Sequence, residues 1–267
     1  MFPNLNKLAI SNLKFRMLTV EKIRTALRHR LGLNRNGPRA WRPEWLPIWI
    51  ELKMESSVHP HDPLERADEF VAHNAGSTEM EVLNWLYSTA ILLKPHSILE
   101  TGAADGIGTI ALASACKANG FGRVHSIELN EEVCSKAQEL VMKVGLSDWI
   151  QQHCADSRKF LRDAAIRFDL AFFDSMCEIR AEECTICMER GILRGPAIFH
   201  DTSPYRMRTL ELWPEEPLHQ KYRKSLQMLA IEHFNGNIWE STLSRGLTVL
   251  TPRTWPVSTR EELTGAD

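Results

Sequence analysis

The sequence predicts an α/β protein with a Rossmann-like, doubly wound sheet. Short apolar runs alternate with helical patterns from Gly76 onward, as in successive βαβ units. Several of these runs end at a carboxylate, and the carboxyl ends of parallel strands are where such sheets bind ligands. The last two runs, 236–241 and 246–251, predict an antiparallel hairpin at the sheet edge. We therefore expect a mostly parallel, seven-stranded sheet with an antiparallel edge hairpin.

Each predicted element has a local signal. Pro95 ends a helix with an apolar stripe from Val82 to Leu93, and Gly120 ends the next helix. The run Phe168–Phe173 is almost continuously apolar, which is typical of a strand buried on both faces. The predicted parallel strands are Ser97–Glu100, Arg123–Leu129, Trp149–Cys154, Phe168–Phe173 and Pro196–His200, and the helices after them lie near Gly108–Asn119, Val133–Val144, Ser157–Ala165, Ile179–Arg190 and His219–His233.

Composition and charge divide the chain into three parts. With 267 residues, 43% of them hydrophobic, it fits one main globular domain with an extension. A basic, helical and then Trp- and Pro-rich N-terminal extension covers 1–75. The α/β domain follows over 76–256, and a loose tail over 257–267.

The basic N-terminal arm predicts a contact with another surface. Its apolar residues recur at helical spacing from Leu13 to Leu31, so the arm fits a helix docked on the main domain or on a second subunit in a homodimer. Its basic face is also compatible with peripheral contact to an anionic membrane. We expect no nucleic-acid partner, because the arm lacks an array of aromatic side chains for base stacking.

Location and cysteine state follow from what the chain lacks. No apolar run approaches the roughly 18 residues of a membrane span, and the N-terminus does not resemble a secretory signal, so we expect a cytoplasmic protein. The six cysteines are scattered and are expected to be reduced. Cys184 and Cys187 have no second pair that would complete a zinc site, and we interpret them as helix-surface thiols.

The segment Ser97–Gly108 carries the strongest functional signal. An apolar run ends in Glu100, and a loop of small residues leads into a helix. Gly102, Ala104 and Gly106 leave the backbone of this loop open to a ligand. Glu100 is poorly placed for a phosphate and suits an amine cation.

A ligand-binding loop of this kind is also compatible with two other functional classes, which remain open. Gly106–Ala111 matches the dinucleotide fingerprint G-x-G-x-x-A, and Glu128 lies about 20 residues further on, which would indicate an NAD-dependent oxidoreductase. The first Gly of that fingerprint follows its strand directly, whereas Thr101–Asp105 intervene here. The second alternative is a scaffold protein that binds the ligand without turnover.

Acidic residues at successive strand ends extend the motif into a series. Glu128 can accept hydrogen bonds from both hydroxyls of a ribose, and Asp156 follows the third strand. With Glu100, Gly102, Gly106, Asp174 and Asp201, this order resembles the class I S-adenosylmethionine (SAM) methyltransferases, especially bacterial O-methyltransferases of the catechol, macrolide and cephalosporin type, over about 76–253. The resemblance implies that SAM crosses the strand ends, with Asp156 beside the adenine and Asp174 near the methyl group.

The resemblance also implies a metal and an acceptor site. Asp174 and Asp201 occupy the Mg²⁺-ligand positions of the catechol-type enzymes, and Thr202 stands where those enzymes have Asn. Their catalytic Lys is Cys177 here, so we predict His200 as the general base. The implied reaction is methyl transfer from SAM to a hydroxyl oxygen of a small molecule such as a sugar or secondary metabolite, with or without Mg²⁺.

Overall fold

The computed structural model describes residues 55–60, 67–72, 77–202, 216–241 and 245–252, all within one compact unit of the chain, Glu44–Asp267. The predicted basic arm and the C-terminal tail lie outside the described residues. Strands β1 (Glu55–Pro60) and β2 (Ala67–Ala72) pair in a separate antiparallel sheet, in a region for which the Pro-rich sequence predicted no strand.

A seven-stranded sheet forms the centre of the α/β domain, as predicted. Its order is β5-β4-β3-β6-β7-β9-β8, in which β9 is antiparallel to both β7 and β8. The chain runs outward from β3 to β5 and returns to β6 beside β3, so the topological switch point lies between β3 and β6. The strands are β3 Ser97–Thr101, β4 Arg123–Glu128, β5 Ile150–Cys154, β6 Leu170–Phe173, β7 Ala197–His200, β8 Ile238–Ser241 and β9 Leu247–Leu250.

Helices cover both faces of this sheet and bury two apolar cores. Along β6, Leu170 and Phe172 contribute to one core while Ala171 and Phe173 contribute to the other, because successive side chains of a strand alternate between faces. Helices α1 to α3 pack on the first face and α4 to α6 on the second. The helices are α1 Met80–Leu93, α2 Ile107–Asn119, α3 Glu131–Lys143, α4 Ser157–Asp163, α5 Cys177–Glu189 and α6 Glu216–His233.

Two expectations about cysteines are wrong. Cys134 in α3 and Cys154 at the end of β5 form a disulfide, so the six thiols are not all reduced. Cys184 and Cys187 are completely buried on the core side of α5 and are not surface thiols. Their spacing of three residues places them on one helix face, and that face packs into the second core.

Among the residues that the structure describes, no helix is both long and apolar enough to cross a bilayer.

Candidate active site

A cavity of about 160 Å³ opens at the carboxyl ends of β3 and β6, which is the switch point of the sheet. Its wall includes residues of the loop after β3, the start of α2 and the strand-end acids. The predicted residues that line it are Glu100, Gly102, Ala104, Asp174 and Asp201, whereas Gly106, Glu128, Asp156, His200 and Thr202 do not. The structure therefore brings the predicted residues of the loop after β3 together with Asp174 and Asp201 around one cavity.

The loop after β3 packs tightly against the loop after β6. Gly102 has φ +75°, and a Cβ atom there would lie 2.5 Å from the backbone of Asp174 and Ser175. Gly106 has φ +78° and occupies the N-cap position of α2. The first glycine is thus required by contact between two protein backbones, which is a different reason from the ligand access inferred from sequence. Gly106 and Gly108 lie at and inside the helix start, which disfavours the dinucleotide fingerprint.

We predict that Gly102→Ala is much more destabilising than Gly120→Ala. Both glycines have a φ near +76°, but nothing lies within 4 Å of a Cβ at Gly120. Backbone strain alone should lower the free energy of unfolding by about 1 kcal/mol at Gly120, and the added clash should bring the loss at Gly102 to about 3 kcal/mol or more. Urea denaturation of both variants measures the difference, and equal losses would show that the two loops can separate freely.

Glu100 is a buried carboxylate at the end of β3. Its Oε2 atom accepts hydrogen bonds from the hydroxyls of Ser126, at 2.8 Å, and Thr109. Burial raises the pKa of Glu100 to about 7, although both hydroxyls lower it. This side chain is therefore poised to lose its proton when a cation enters the cavity.

Glu128 and Asp156 have local structural contacts. Glu128 accepts hydrogen bonds from the backbone N–H groups of Ala104 and Asn130, both at 3.0 Å, and so holds Ala104 at its positive φ of 45°. Asp156 caps α4 by accepting from the Lys159 N–H and forms an ion pair with Arg158. Their roles toward ribose and adenine stay predictions.

Charged side chains meet at the cavity wall and behind it in what we call the strand-end cluster, defined as Glu79, Asp174, Arg180, His200, Asp201 and Arg245. His200 is fully buried, with Nδ1 2.9 Å from Asp174 and Nε2 2.9 Å from Glu79. Burial alone would lower the pKa of His200, but the neighbouring carboxylates outweigh it and raise the pKa to about 9. Both nitrogens of this imidazole are already bonded to carboxylates, so neither is placed to take a proton from an acceptor in this arrangement, and the general-base role stays a prediction.

Two arginines connect the acids of the strand-end cluster. Arg180 donates through Nη2 to Asp174 at 3.0 Å and, more weakly, to Asp201 at 3.5 Å. Arg245 donates to both carboxylate oxygens of Asp201, at 2.7 Å from Nε and 3.1 Å from Nη2. Its backbone N–H donates to Glu79 at 2.9 Å. These contacts satisfy the acids that follow β6 and β7.

Sequence reasoning missed Glu79, Arg180, Glu183 and Arg245. Arg180 and Glu183 did have a signal, because they share helical spacing with Cys177, Cys184 and Cys187, and a charge on a buried helix face needs a partner. Glu183 accepts hydrogen bonds from the hydroxyls of Thr101, Ser157 and Ser175. It thereby joins the loops after β3 and β6 to the start of α4.

The predicted metal ligands fail a test of fit. Ligand atoms of Asp174, His200 and Asp201 lie within 4.8 Å of one another, as a metal site requires. Each of these atoms, however, already has a hydrogen-bond partner in the strand-end cluster or in Thr78. Thr202 is buried beside Asp201, and its backbone N–H donates to Gly246. A divalent ion that bound Asp201, or bridged both carboxylates, would have to displace arginine.

Comparison with known proteins agrees with this site. Residues 99–202 match the family model described as a methyltransferase domain. This part of the chain is therefore similar to a methyltransferase domain. The predicted resemblance and the prediction of an enzyme of this class are thereby confirmed. No curated protein matches the sequence at a significant level.

Solved structures support the same fold. The O-methyltransferase TomG from Streptomyces achromogenes, involved in tomaymycin synthesis, is 22% identical with a TM-score of 0.54, over 66% of this chain and 82% of that one. The methyltransferase PaMTH1 from Podospora anserina is 14% identical with a TM-score of 0.56, over 95% and 99%. An O-methyltransferase from Bacillus cereus is 17% identical with a TM-score of 0.53, over 67% and 84%.

Proposed function

We propose that this methyltransferase domain transfers the methyl group of SAM to a hydroxyl oxygen of a small molecule. The observation that carries the proposal is the cavity at the switch point, where Glu100 and Asp174 line the wall beside the Gly102 loop. Carboxylates at this position attract a cationic ligand, and SAM carries both an ammonium and a sulfonium group. The TomG and Bacillus cereus structures, described as O-methyltransferases in complex with SAM and S-adenosylhomocysteine, support the choice of cofactor and of oxygen as acceptor.

The residues of the cavity fit the cofactor. Glu100 offers a carboxylate whose charge is not committed to a protein cation, since its described hydrogen-bond partners are hydroxyls. The loop after β3 supplies a backbone without bulky side chains at Gly102, Ala103 and Ala104. SAM supplies an activated methyl group for a displacement reaction. The protein binds the cofactor, orients the acceptor toward the methyl group and excludes water from the site.

Asp174 is the residue best placed to receive the acceptor hydroxyl. It lines the cavity, and its Oδ2 atom accepts only the Thr78 hydroxyl among the described contacts, at 3.2 Å. A carboxylate oxygen accepts two hydrogen bonds, so Oδ2 has room for a second donor. We assign to Asp174 both the orientation of the hydroxyl and the acceptance of its proton as the new carbon–oxygen bond forms.

We predict that Asp174→Asn lowers kcat about 100-fold, because the amide retains the size of the side chain but cannot take the proton. The assay follows labelled methyl transfer from SAM to the best acceptor in a panel of phenols and sugars. Asp163→Asn on the exposed surface of α4 is the matched control and should keep full activity. Wild-type turnover by a folded Asp174→Asn protein would contradict this role.

Calorimetry tests the cofactor. We predict that affinity for SAM rises about tenfold between pH 6 and pH 8, because binding of a cation favours the ionised form of Glu100, whose pKa is about 7. Below that pKa the carboxyl group must release a proton, and titrations in two buffers of different ionisation enthalpy count it.

Glu100→Gln should bind more weakly at pH 8 and lose this pH dependence, whereas the exposed Glu139→Gln should behave as wild type. NAD is the third ligand in the titration. Binding of NAD with no binding of SAM or S-adenosylhomocysteine would reject the proposed function in favour of an oxidoreductase.

A further inference from the structure

The strand-end cluster stands where the catechol-type resemblance places Mg²⁺. We propose that this protein works without a divalent metal, because the guanidinium groups of Arg180 and Arg245 take the place of the ion and hold Asp174 and Asp201 themselves. Both arginines are positioning residues, since they act on the reaction through the carboxylates that they fix. The proposal rests on the proposed function only for the identity of the reaction, and its first test needs no turnover.

The carboxylate oxygens that would bind the metal are already occupied by hydrogen-bond donors of the protein. On Asp201, Oδ1 accepts from Arg245 Nε at 2.7 Å, and Oδ2 accepts from Arg245 Nη2 at 3.1 Å. On Asp174, Oδ1 is 3.0 Å from Arg180 Nη2 and 2.9 Å from His200 Nδ1. Carboxylate oxygens that bind Mg²⁺ need geometry close to octahedral, and these oxygens are already oriented toward planar guanidinium groups.

The charges of the strand-end cluster also balance without a metal ion. The strand-end cluster contains the carboxylates of Glu79, Asp174 and Asp201 and the guanidinium groups of Arg180 and Arg245. Both ring nitrogens of His200 face carboxylates, which only accept, so both carry hydrogen and the ring is a third cation. Three negative and three positive groups balance, and a divalent ion would add two uncompensated charges to a buried site.

Both arginines are also anchored outside the strand-end cluster. Arg180 also donates to the backbone carbonyl groups of Ser175, at 2.6 Å, and His200. Arg245 donates through Nη1 to the Ser77 carbonyl at 2.8 Å. Displacing either side chain would deprive these carbonyl groups of a charged donor, which is unfavourable in a buried site. A metal would have to compete against this additional cost.

Binding of Mn²⁺ to the wild-type protein is the first test. After treatment with chelator, the full chain is titrated with Mn²⁺ and free ion is followed by electron paramagnetic resonance. We expect no site filled below about 1 mM. Thermal unfolding should be unchanged by 10 mM Mg²⁺, because a ligand that does not bind the native state cannot stabilise it. Stoichiometric binding that Asp174→Asn or Asp201→Asn abolishes would overturn the proposal.

Arg245→Met is the second test, because it removes the two Arg245 donors from Asp201 and leaves the cluster with surplus negative charge. We expect this variant to gain a Mn²⁺ site that is lost again in Arg245→Met/Asp201→Asn. Arg223→Met is the matched control, since it breaks an arginine pair with Glu240 on the surface and should gain nothing. A folded Arg245→Met protein that binds no Mn²⁺ would contradict exclusion by the guanidinium group. The wild-type titration decides the proposal if this variant does not fold.

Turnover in the presence of EDTA separates this proposal from the proposed function. If S-adenosylhomocysteine binds and methyl transfer survives EDTA without stimulation by Mg²⁺, the metal-free mechanism is supported. Loss of activity in EDTA with recovery in Mg²⁺ would overturn it while leaving the methyltransferase assignment intact. Failure to bind S-adenosylhomocysteine would reject the proposed function, and the Mn²⁺ titration would still report on the cluster.

Discussion

The pairing of Arg180 with Asp174 and Asp201 is the interaction on which the active-site edge depends. β6 and β7 are adjacent and parallel, so the acids that follow them are brought close together and repel each other. Arg180 enters from α5 and bonds both carboxylates. Removing one partner from a buried ion pair of this kind costs about 3–5 kcal/mol. The geometry of this edge therefore depends on Arg180, which a motif of strand-end acids does not contain.

The domain buries its acids in two chemically different ways. Glu100 and Glu183 are surrounded by hydroxyl donors, and burial raises the pKa of both. Asp201 and Glu79 are instead paired with cations. A carboxyl group held by hydroxyls can change its charge when a cationic ligand arrives, whereas the charges of Asp201 and Glu79 are balanced by the cations that hold them. The Glu100 side of the cavity can therefore respond to a cationic ligand.

The sequence was sufficient for the sheet and for most of the cavity wall. Strands such as β6 were predictable because a parallel sheet buried on both faces needs continuous apolar runs, and the strand-end acids followed from topology. The strand-end cluster was not predictable. Glu79 and His200 are 121 residues apart, and Arg245 is 166 residues from Glu79, so no local pattern connects them.

Similar limits apply to the predictions about individual residues. His200 had the right position for a general base, but its role depends on Glu79, whose location only the fold reveals. The sequence predicts Cys134 and Cys154 as independent reduced thiols, because no local pattern shows that they are close. Only the pairing of β4 with β5 and the packing of α3 bring them together. Arg180 was the exception, because its place on a buried helix face was visible in the spacing of the neighbouring cysteines.

The balance of positive and negative charges in the strand-end cluster also bears on the fate of the acceptor proton under the proposed mechanism. When Asp174 takes that proton, its negative charge disappears while Arg180 and His200 remain positive beside it. The buried cluster then carries one uncompensated positive charge, and its balance is restored only when the proton leaves for solvent. Release of that proton therefore has to follow each methyl transfer before the next one can begin.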